Sequence, residues 1–457
     1  MARAGVRVVA MALPRRGLLH AGASLAIAAL SPSPARGSDR TPYGGRISLH
    51  VPWSLGRFDP HLIDDAATAC FGSALFESLY ARDETGTLRP SLAESYPESD
   101  GTGLRVTLRR GVRFASGRAL NAQSAAASIE RARAHDAGAW LVDVPRAKID
   151  GDALVFPMRD VHQLLRGLGS PLVAIVPSGF VPERPDGTGP FRVEPATDGV
   201  RLARNALAAS GPSFLDAIEI RHAPDLTTSL RAFESGADDI GWLGSFLHEP
   251  RTGARTFDAG GVAWAILRMG REAGPLDVPG MAQTLADGVP YTALAPLMVG
   301  PAWGFRPAQW AGPPAELLVR DDAPWLIEVA RALAVSASTP SHEVVPNPRP
   351  LGEIARRRLA RTFALMLDVA CPVGPGDVGT LLGLATADDA ASAIDLARHP
   401  PRGNLAARTL TRTMRIGLVG EIRLQGGRAP DIVLPPSPWG RGVDWGNAFR
   451  MRAGTRP

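Results

Sequence analysis

Hydrophobic and polar positions along this chain fall into short alternating runs and helical stripes separated by turns. Leu104, Val106 and Leu108 alternate with Arg105, Thr107 and Arg109, the period-two pattern of a strand buried on one face. Residues 47–51, 154–156, 187–193, 214–221 and 239–242 read as further strands or turns entering strands. Phe71, Leu75, Phe76, Leu79 and Tyr80 recur at three- to five-residue intervals and predict one helix through that stretch. Asn121 is placed to cap a helix carrying Ala125, Ile129 and Ala132, and residues 161–168 predict another. Asp225 can cap a helix holding Leu226, Leu230 and Phe233, which Gly236 closes. Turns are expected at 58–61, 83–86 and 114–117. Strands and helices thus alternate beyond residue 37, which argues for an α/β architecture.

The second half is patterned less regularly. Residues 275–307 are rich in Pro, Gly and Ala, with a helix expected at 281–287. Helices are predicted at 325–335 and 387–397, strands at 344–345, 363–369 and 416–422, and a loop at 426–442. Residues 354–361 carry Arg356, Arg357, Arg358 and Arg361, which reads as a solvated basic helix face. No tandem repeat is present.

At 457 residues the chain exceeds what one core usually supports, so two or three lobes are expected. Its 49 Gly and 41 Pro are about a fifth of the residues, below the level of low-complexity disorder. The net charge of +5 is accounted for by Arg3, Arg7, Arg15, Arg16 and Arg36 in the acid-free first 37 residues. The remainder is neutral, which argues against nucleic acid as a partner, because phosphate binding needs positive charge on the folded part. The basic start, the apolar stretch 21–30 and the Ser/Pro/Ala segment after it have the layout of an export signal spanning residues 1–37. The apolar stretch is too short to span a bilayer. Arg15-Arg16 followed by Gly17-Leu18-Leu19 resembles a twin-arginine signal read by an export translocase, with the general secretory route as the alternative. Cys70 and Cys371 are the only cysteines; either they bridge in an oxidising compartment or each is a small buried apolar residue.

Catalytic patterns are missing. No two of the nine histidines stand four apart, and His248-Glu249 is followed by Pro250, which breaks any helical metal motif. Lys148 is the only lysine and no Gly-rich run precedes it, so neither a phosphate-binding loop nor Ser-x-x-Lys chemistry is available. Gly187-x-Gly189 is followed by Pro190 and lacks the third glycine of a dinucleotide loop. Adjacent carboxylates at Asp64-Asp65, Asp238-Asp239 and Asp388-Asp389 point apart and read as caps or surface groups. No cofactor, metal site or catalytic residue is expected.

Six ordered blocks resemble the peptide- and nickel-type (family 5) solute-binding proteins of ABC importers. They are Phe58-Asp59-Pro60-His61, Leu75-Phe76-Glu77-Ser78-Leu79, Gly86-Thr87-Leu88-Arg89-Pro90-Ser91-Leu92-Ala93-Glu94-Ser95, Leu108-Arg109-Arg110-Gly111-Val112-Arg113-Phe114 with Ser128-Ile129-Glu130-Arg131, Gly187-Thr188-Gly189-Pro190-Phe191, and the segment 230–240. Beyond Gly244 the match thins: Gly274-Pro275-Leu276-Asp277 lacks the arginines of the family's segment there, and Ala370-Cys371-Pro372-Val373 replaces its tryptophan and Asp-Pro.

The resemblance implies a two-lobed, type II periplasmic-binding-protein-like α/β fold with a two-strand hinge. Lobe I would run over 38–242, lobe II over 243–375, and 376–457 would return to lobe I, with crossings near 239–244 and 368–375. It implies an exported, non-enzymatic protein that captures a peptide or other small amphipathic solute between the lobes and delivers it to ABC permease subunits. Asp368 and Asp377 are the local counterparts of the aspartate that often holds a peptide's amino terminus in this family. Trp53, His61, Trp242, Trp439 and Trp445 are further cleft candidates, for which ordinary packing at lobe edges is the competing explanation. Two alternatives remain: a sensor or partner-binding module on the same fold, and a periplasmic hydrolase motivated by the cleft alone.

Overall fold

In the computed structural model residues 41–242, 252–297, 308–374, 376–399 and 407–451 are described. The expected leader at 1–37 lies outside them, as do residues 243–244 and 375 at the ends of the expected crossings. Among the described residues no helix is long and apolar enough to cross a membrane.

The first half contains β1 (Arg46–Val51), α1 (Ala66–Leu75), β2 (Tyr80–Arg82), β3 (Leu88–Pro90), β4 (Glu98–Ser99), β5 (Leu104–Thr107) and α2 (Ala122–Ala134). There follow β6 (Lys148–Asp150), β7 (Ala153–Phe156), α3 (Val161–Leu168), β8 (Phe191–Ala196), β9 (Gly199–Arg204), β10 (Ala217–His222), α4 (Leu226–Glu234) and β11 (Ile240–Trp242). The second half has β12 (Arg255–Met269), α5 (Met281–Asp287), α6 (Tyr291–Leu294), β13 (Ala315–Arg320), α7 (Pro324–Ala337), β14 (Val344–Arg349), α8 (Leu351–Ala360) and β15 (Leu365–Ala370). It closes with α9 (Gly376–Asp388), α10 (Ala390–Arg398), α11 (Ala407–Thr411), β16 (Ile416–Arg428), β17 (Ile432–Val433) and β18 (Phe449–Arg450).

Capping set two helix starts where the sequence placed them. Asn121 and Ser124 form a reciprocal capping box on α2, and the Asp225 side chain accepts from the Thr228 N–H at the start of α4.

Ten strands form one sheet in the order β14-β13-β15-β12-β16-β11-β1-β10-β9-β8, while β4-β5-β7-β6 make a separate four-stranded sheet. β12 is paired to β15 over residues 264–269, and β16 to β11 over 426–428. Between these stretches residues 258–263 and 422–425 pair only with each other, so the large sheet narrows there to a two-strand ribbon. The ribbon is irregular: its register shifts at Asp258/Gly261 and Gly261/Ala263, and Gly260 has φ +78. The crossings expected at 239–244 and 368–375 instead flank the ribbon's two ends, in β11 and β15.

Five local features differ from the expectations. The helix expected through Tyr80 stops at Leu75, where Phe76 turns extended. The Leu75 carbonyl accepts from the Gly189 N–H at 3.0 Å, and the chain at Gly187 lies against the same carbonyl. β12 was not legible because residues 261–269 are buried without a break, leaving no alternation to detect. α9 is buried from Gly379 to Ala385 and likewise shows no stripe. The loop expected at 426–442 begins only after β16 ends at Arg428. The basic face of α8 is not wholly solvated either: Arg358 turns inward onto Asp64 and Asp368, and Arg361, at φ 56, pairs with Asp277.

A Cβ on Gly187 would lie 2.0 Å from the Leu75 carbonyl oxygen. Gly187→Ala should therefore lower stability by about 2 kcal/mol, the range for overpacking, measured by urea unfolding. Gly111→Ala, where nothing lies within 4 Å of the added carbon and only the positive φ is strained, should cost less.

Candidate ligand cleft

A cavity of about 900 Å3 opens between α1, the β2–β3 hairpin, the turn after β15 and the loop before β18. Each wall has a local reason for its shape. Asp65 caps α1, accepting from the Ala67 N–H at 3.1 Å and the Thr68 hydroxyl at 2.6 Å, which sets the helix that presents Thr68, Cys70 and Ser73. In the hairpin turn the Asp83 carboxylate accepts from the Thr85 and Thr87 N–H groups at 2.9 and 3.0 Å and from Arg89 at 2.8 Å. This fixes the turn without help from a ligand. The loop before β18 is fastened by Trp445, whose Nε1–H donates to the Cys70 carbonyl at 2.8 Å while its ring packs on Phe71 at 5.3 Å.

The lining mixes apolar faces with few charges. The Arg82 guanidinium stands 5.3 Å from the Trp439 ring centroid, and burial lowers its pKa. Its Nε has no hydrogen-bond partner among the described residues. Arg441 reaches the Gly261 carbonyl in the ribbon at 3.4 Å and the Gly376 carbonyl at 3.3 Å, and burial lowers its pKa too. Burial pushes the Glu77 carboxyl up, with Ser210, Thr188 and Arg109 pulling it back. Its Oε2 lacks a hydrogen-bond partner among the described residues. Among the described residues no cluster of three His, Cys, Asp or Glu could hold a metal ion.

Of the residues singled out from sequence, Trp439 lines the cavity and Trp445 buttresses it from behind. Trp53 and Trp242 pack edge to face at 5.1 Å in the core, with the Trp242 Nε1–H donating to the Arg423 carbonyl at 3.0 Å. Asp377 sits in the first turn of α9 within the electrostatic reach of Arg441. Asp368 is buried in β15; burial alone would raise its pKa, but Arg268 at 2.8 Å and Arg358 at 3.0 Å hold it at about 2. These four do not line the cavity. Cys70 and Cys371 are free, buried and both on its wall, and burial pushes both thiols well up. Arg82, Arg441 and the two cysteines were missed as lining residues, since nothing in their spacing brings them together.

His61 is a framework residue. Its Nε2–H donates to the Ala174 carbonyl at 2.8 Å, and Nδ1 accepts from Arg131 at 2.7 Å. Arg131 in turn holds Asp59 bidentately at 2.9 and 2.7 Å. Two sequence blocks, 58–61 and 128–131, are thereby tied together. Burial leads in lowering the ring's pKa from 6.5 to about 4, so the unfolded chain binds the extra proton between those values and stability falls as the pH drops through that window. The loss should total about 3 kcal/mol. His61→Gln should flatten the profile between pH 6.5 and 4, read from urea midpoints across that range.

Comparison with known proteins bears on the same region. Residues 87–317, just over half of the chain, match the family described as bacterial extracellular solute-binding proteins, family 5 middle. The nickel-binding protein NikA of Staphylococcus aureus is 23% identical over 204 residues, 43% of this chain and 41% of that protein. The glutathione-binding protein GsiB of Salmonella choleraesuis is 25% identical over 301 residues, 60% of this chain and 57% of that one. The chain thus spans between two fifths and three fifths of these curated relatives. The oligopeptide-binding protein AppA of Bacillus subtilis, solved with a nonapeptide, superposes with a TM-score of 0.64 at 12% identity, covering 90% of this chain and all of that one. The fold is accordingly the α/β fold of type II periplasmic binding proteins, two lobes joined by two strands.

Proposed function

This chain belongs to the bacterial extracellular solute-binding proteins of family 5, binding proteins rather than enzymes, and from that premise we propose that it is exported, captures a short peptide or similar small amphipathic solute between its lobes, and delivers it to an ABC-type permease. The observation that carries this reading is the cavity of about 900 Å3 lined from both sides of the ribbon: by α1 and the β2–β3 hairpin on one hand, by Cys371, Pro372 and Gly374 after β15 on the other. Its volume lies within the roughly 300–1,000 Å3 of small-molecule sites. Contacts to both walls are available only when the walls are together, so a ligand would shift the open–closed population toward closure.

Trp439 and Phe76 offer apolar faces, while Arg82, Arg441 and Glu77 offer charge for the ends of a zwitterionic solute. The relatives' names span a nickel-binding and a glutathione-binding protein. Among the described residues no histidine lines this cavity, which favours a peptide-like organic solute over a metal complex. Trp439 and Arg441 are the side chains we assign to ligand contact from the C-terminal loop.

A thermal-shift screen of di- to pentapeptides, glutathione and nickel–histidine decides the matter. At least one peptide-like compound should raise the melting temperature by a few degrees at 100-fold excess over its Kd, equivalent to about 2.7 kcal/mol. No shift from any member at millimolar concentration would overturn the proposal. Trp439→Ala should weaken the best compound by about tenfold while leaving the unliganded melting temperature nearly unchanged, as isothermal titration alongside the melts would read.

A further inference from the structure

Behind the cavity wall formed by α1 and Cys371, a buried ionic cluster spans the two sides of the ribbon. Asp64, directly before the capping Asp65 of α1, is 2% exposed. Its Oδ2 accepts from both terminal nitrogens of Arg358 at 3.1 Å, its Oδ1 faces Arg57 at 3.4 Å, and its carbonyl accepts from Arg320 at 3.0 Å. Arg358 lies on α8 and Arg320 at the end of β13, both at the far end of the large sheet from β1. Asp368 in β15 completes the arrangement: its Oδ2 accepts from Arg358 at 3.0 Å and from Arg268 at 2.8 Å, which aims the Arg358 guanidinium at Asp64.

The placement of this cluster matters more than its strength. Across the ribbon the sheet offers no more than two strands of backbone pairing, so loops and side chains supply what else holds the sides together, among them the Leu226 N–H donating to the Pro296 carbonyl at 2.5 Å. A smaller contact of the same kind is the Ser170 hydroxyl donating to the Val373 carbonyl at 2.7 Å. Charges that regain water on separation make such a contact close to balanced, since the attraction inside is offset by the desolvation it requires. A near-balanced contact suits a device that must open and close.

We propose that Asp64 and Arg358, with Asp368 as the positioning residue for the guanidinium, form a clasp that keeps the lobes together when no ligand is bound. The clasp rests on the two-lobe capture reading. It makes the unliganded protein mostly closed, so that solute entry waits for the clasp to release and the cost falls on the association rate, not on the affinity of the closed form. Asp64 also starts the turn that leads into α1, so release of the clasp frees the wall that carries Cys70 and Thr68.

Distances between spin labels on Tyr96→Cys and Val345→Cys, both exposed positions on opposite sides of the ribbon, report opening directly. The native thiols are buried and need no removal. In unliganded protein the short distance should dominate. Asp64→Asn and Arg358→Gln should each raise the long-distance population about tenfold, and the double variant should add little to either. Should a single variant fail to fold, the pair Asp64→Asn/Arg358→Met, which removes both charges of the clasp and leaves Arg57 within electrostatic reach of Asp322, carries the test. A two-distance distribution that the folded variants leave unchanged would overturn the clasp and leave the capture reading standing. One fixed distance in every protein, with and without the best peptide of the screen, would overturn the closure itself and the clasp with it.

Discussion

At residues 258–263 and 422–425 a ten-stranded sheet is carried by two strands alone, and most of the molecule's behaviour is set by that constraint. Backbone hydrogen bonds hold each side of the sheet as a unit, but across the ribbon the sheet ladder has only two strands. The ribbon is also where the ladder is most irregular. A Cβ on Gly261 would fall 1.8 Å from the Glu421 carboxylate, so the strands meet there through a side chain folded onto bare backbone. Bulges and glycine at such a crossing allow bending that a regular ladder would resist.

Everything else that joins the two sides is loop or side chain, and this explains where the cavity is. Its walls come from α1, a hairpin, a post-strand turn and a C-terminal loop, because continuous sheet is absent in that region. Each wall is nonetheless individually firm: Asp65 caps one, Asp83 knots another, Trp445 nails a third. The arrangement is a set of rigid pieces with freedom reserved for the spaces between them, as expected where ligand-binding segments sit on a stable scaffold.

How far this could be read from the chain follows from what burial does to patterns. The strands β1, β5 and β10 and the helices α2, α3, α4 and α7 were legible because each keeps one wet face, or because Asn121 and Asp225 marked the start. β12 and α9 were not, since both are dry nearly all round and offer neither alternation nor stripe. The ordered blocks between 58 and 240 identified the fold, yet the residues within them are mostly framework: Asp59, His61 and Arg131 bind one another rather than a solute. The cavity was barely legible. Trp439 was named for its aromatic face, while Arg82, Cys70, Cys371 and Arg441 converge from chain positions up to several hundred residues apart. Trp53, Trp242 and Asp368 were chosen by chemistry suited to binding, and the structure spends that chemistry on core packing and on buried ion pairs.

The hydrogen bond from Trp445 to the Cys70 carbonyl also orders events in time. A ribosome releasing this polypeptide delivers residue 70 long before residue 445, so the first wall of the cavity must wait through most of translation for its brace. Until that indole arrives, the Cys70 carbonyl and the face of Phe71 against it lack that partner. Completion of the cavity is thus coupled to a residue 375 positions downstream of the wall that it braces.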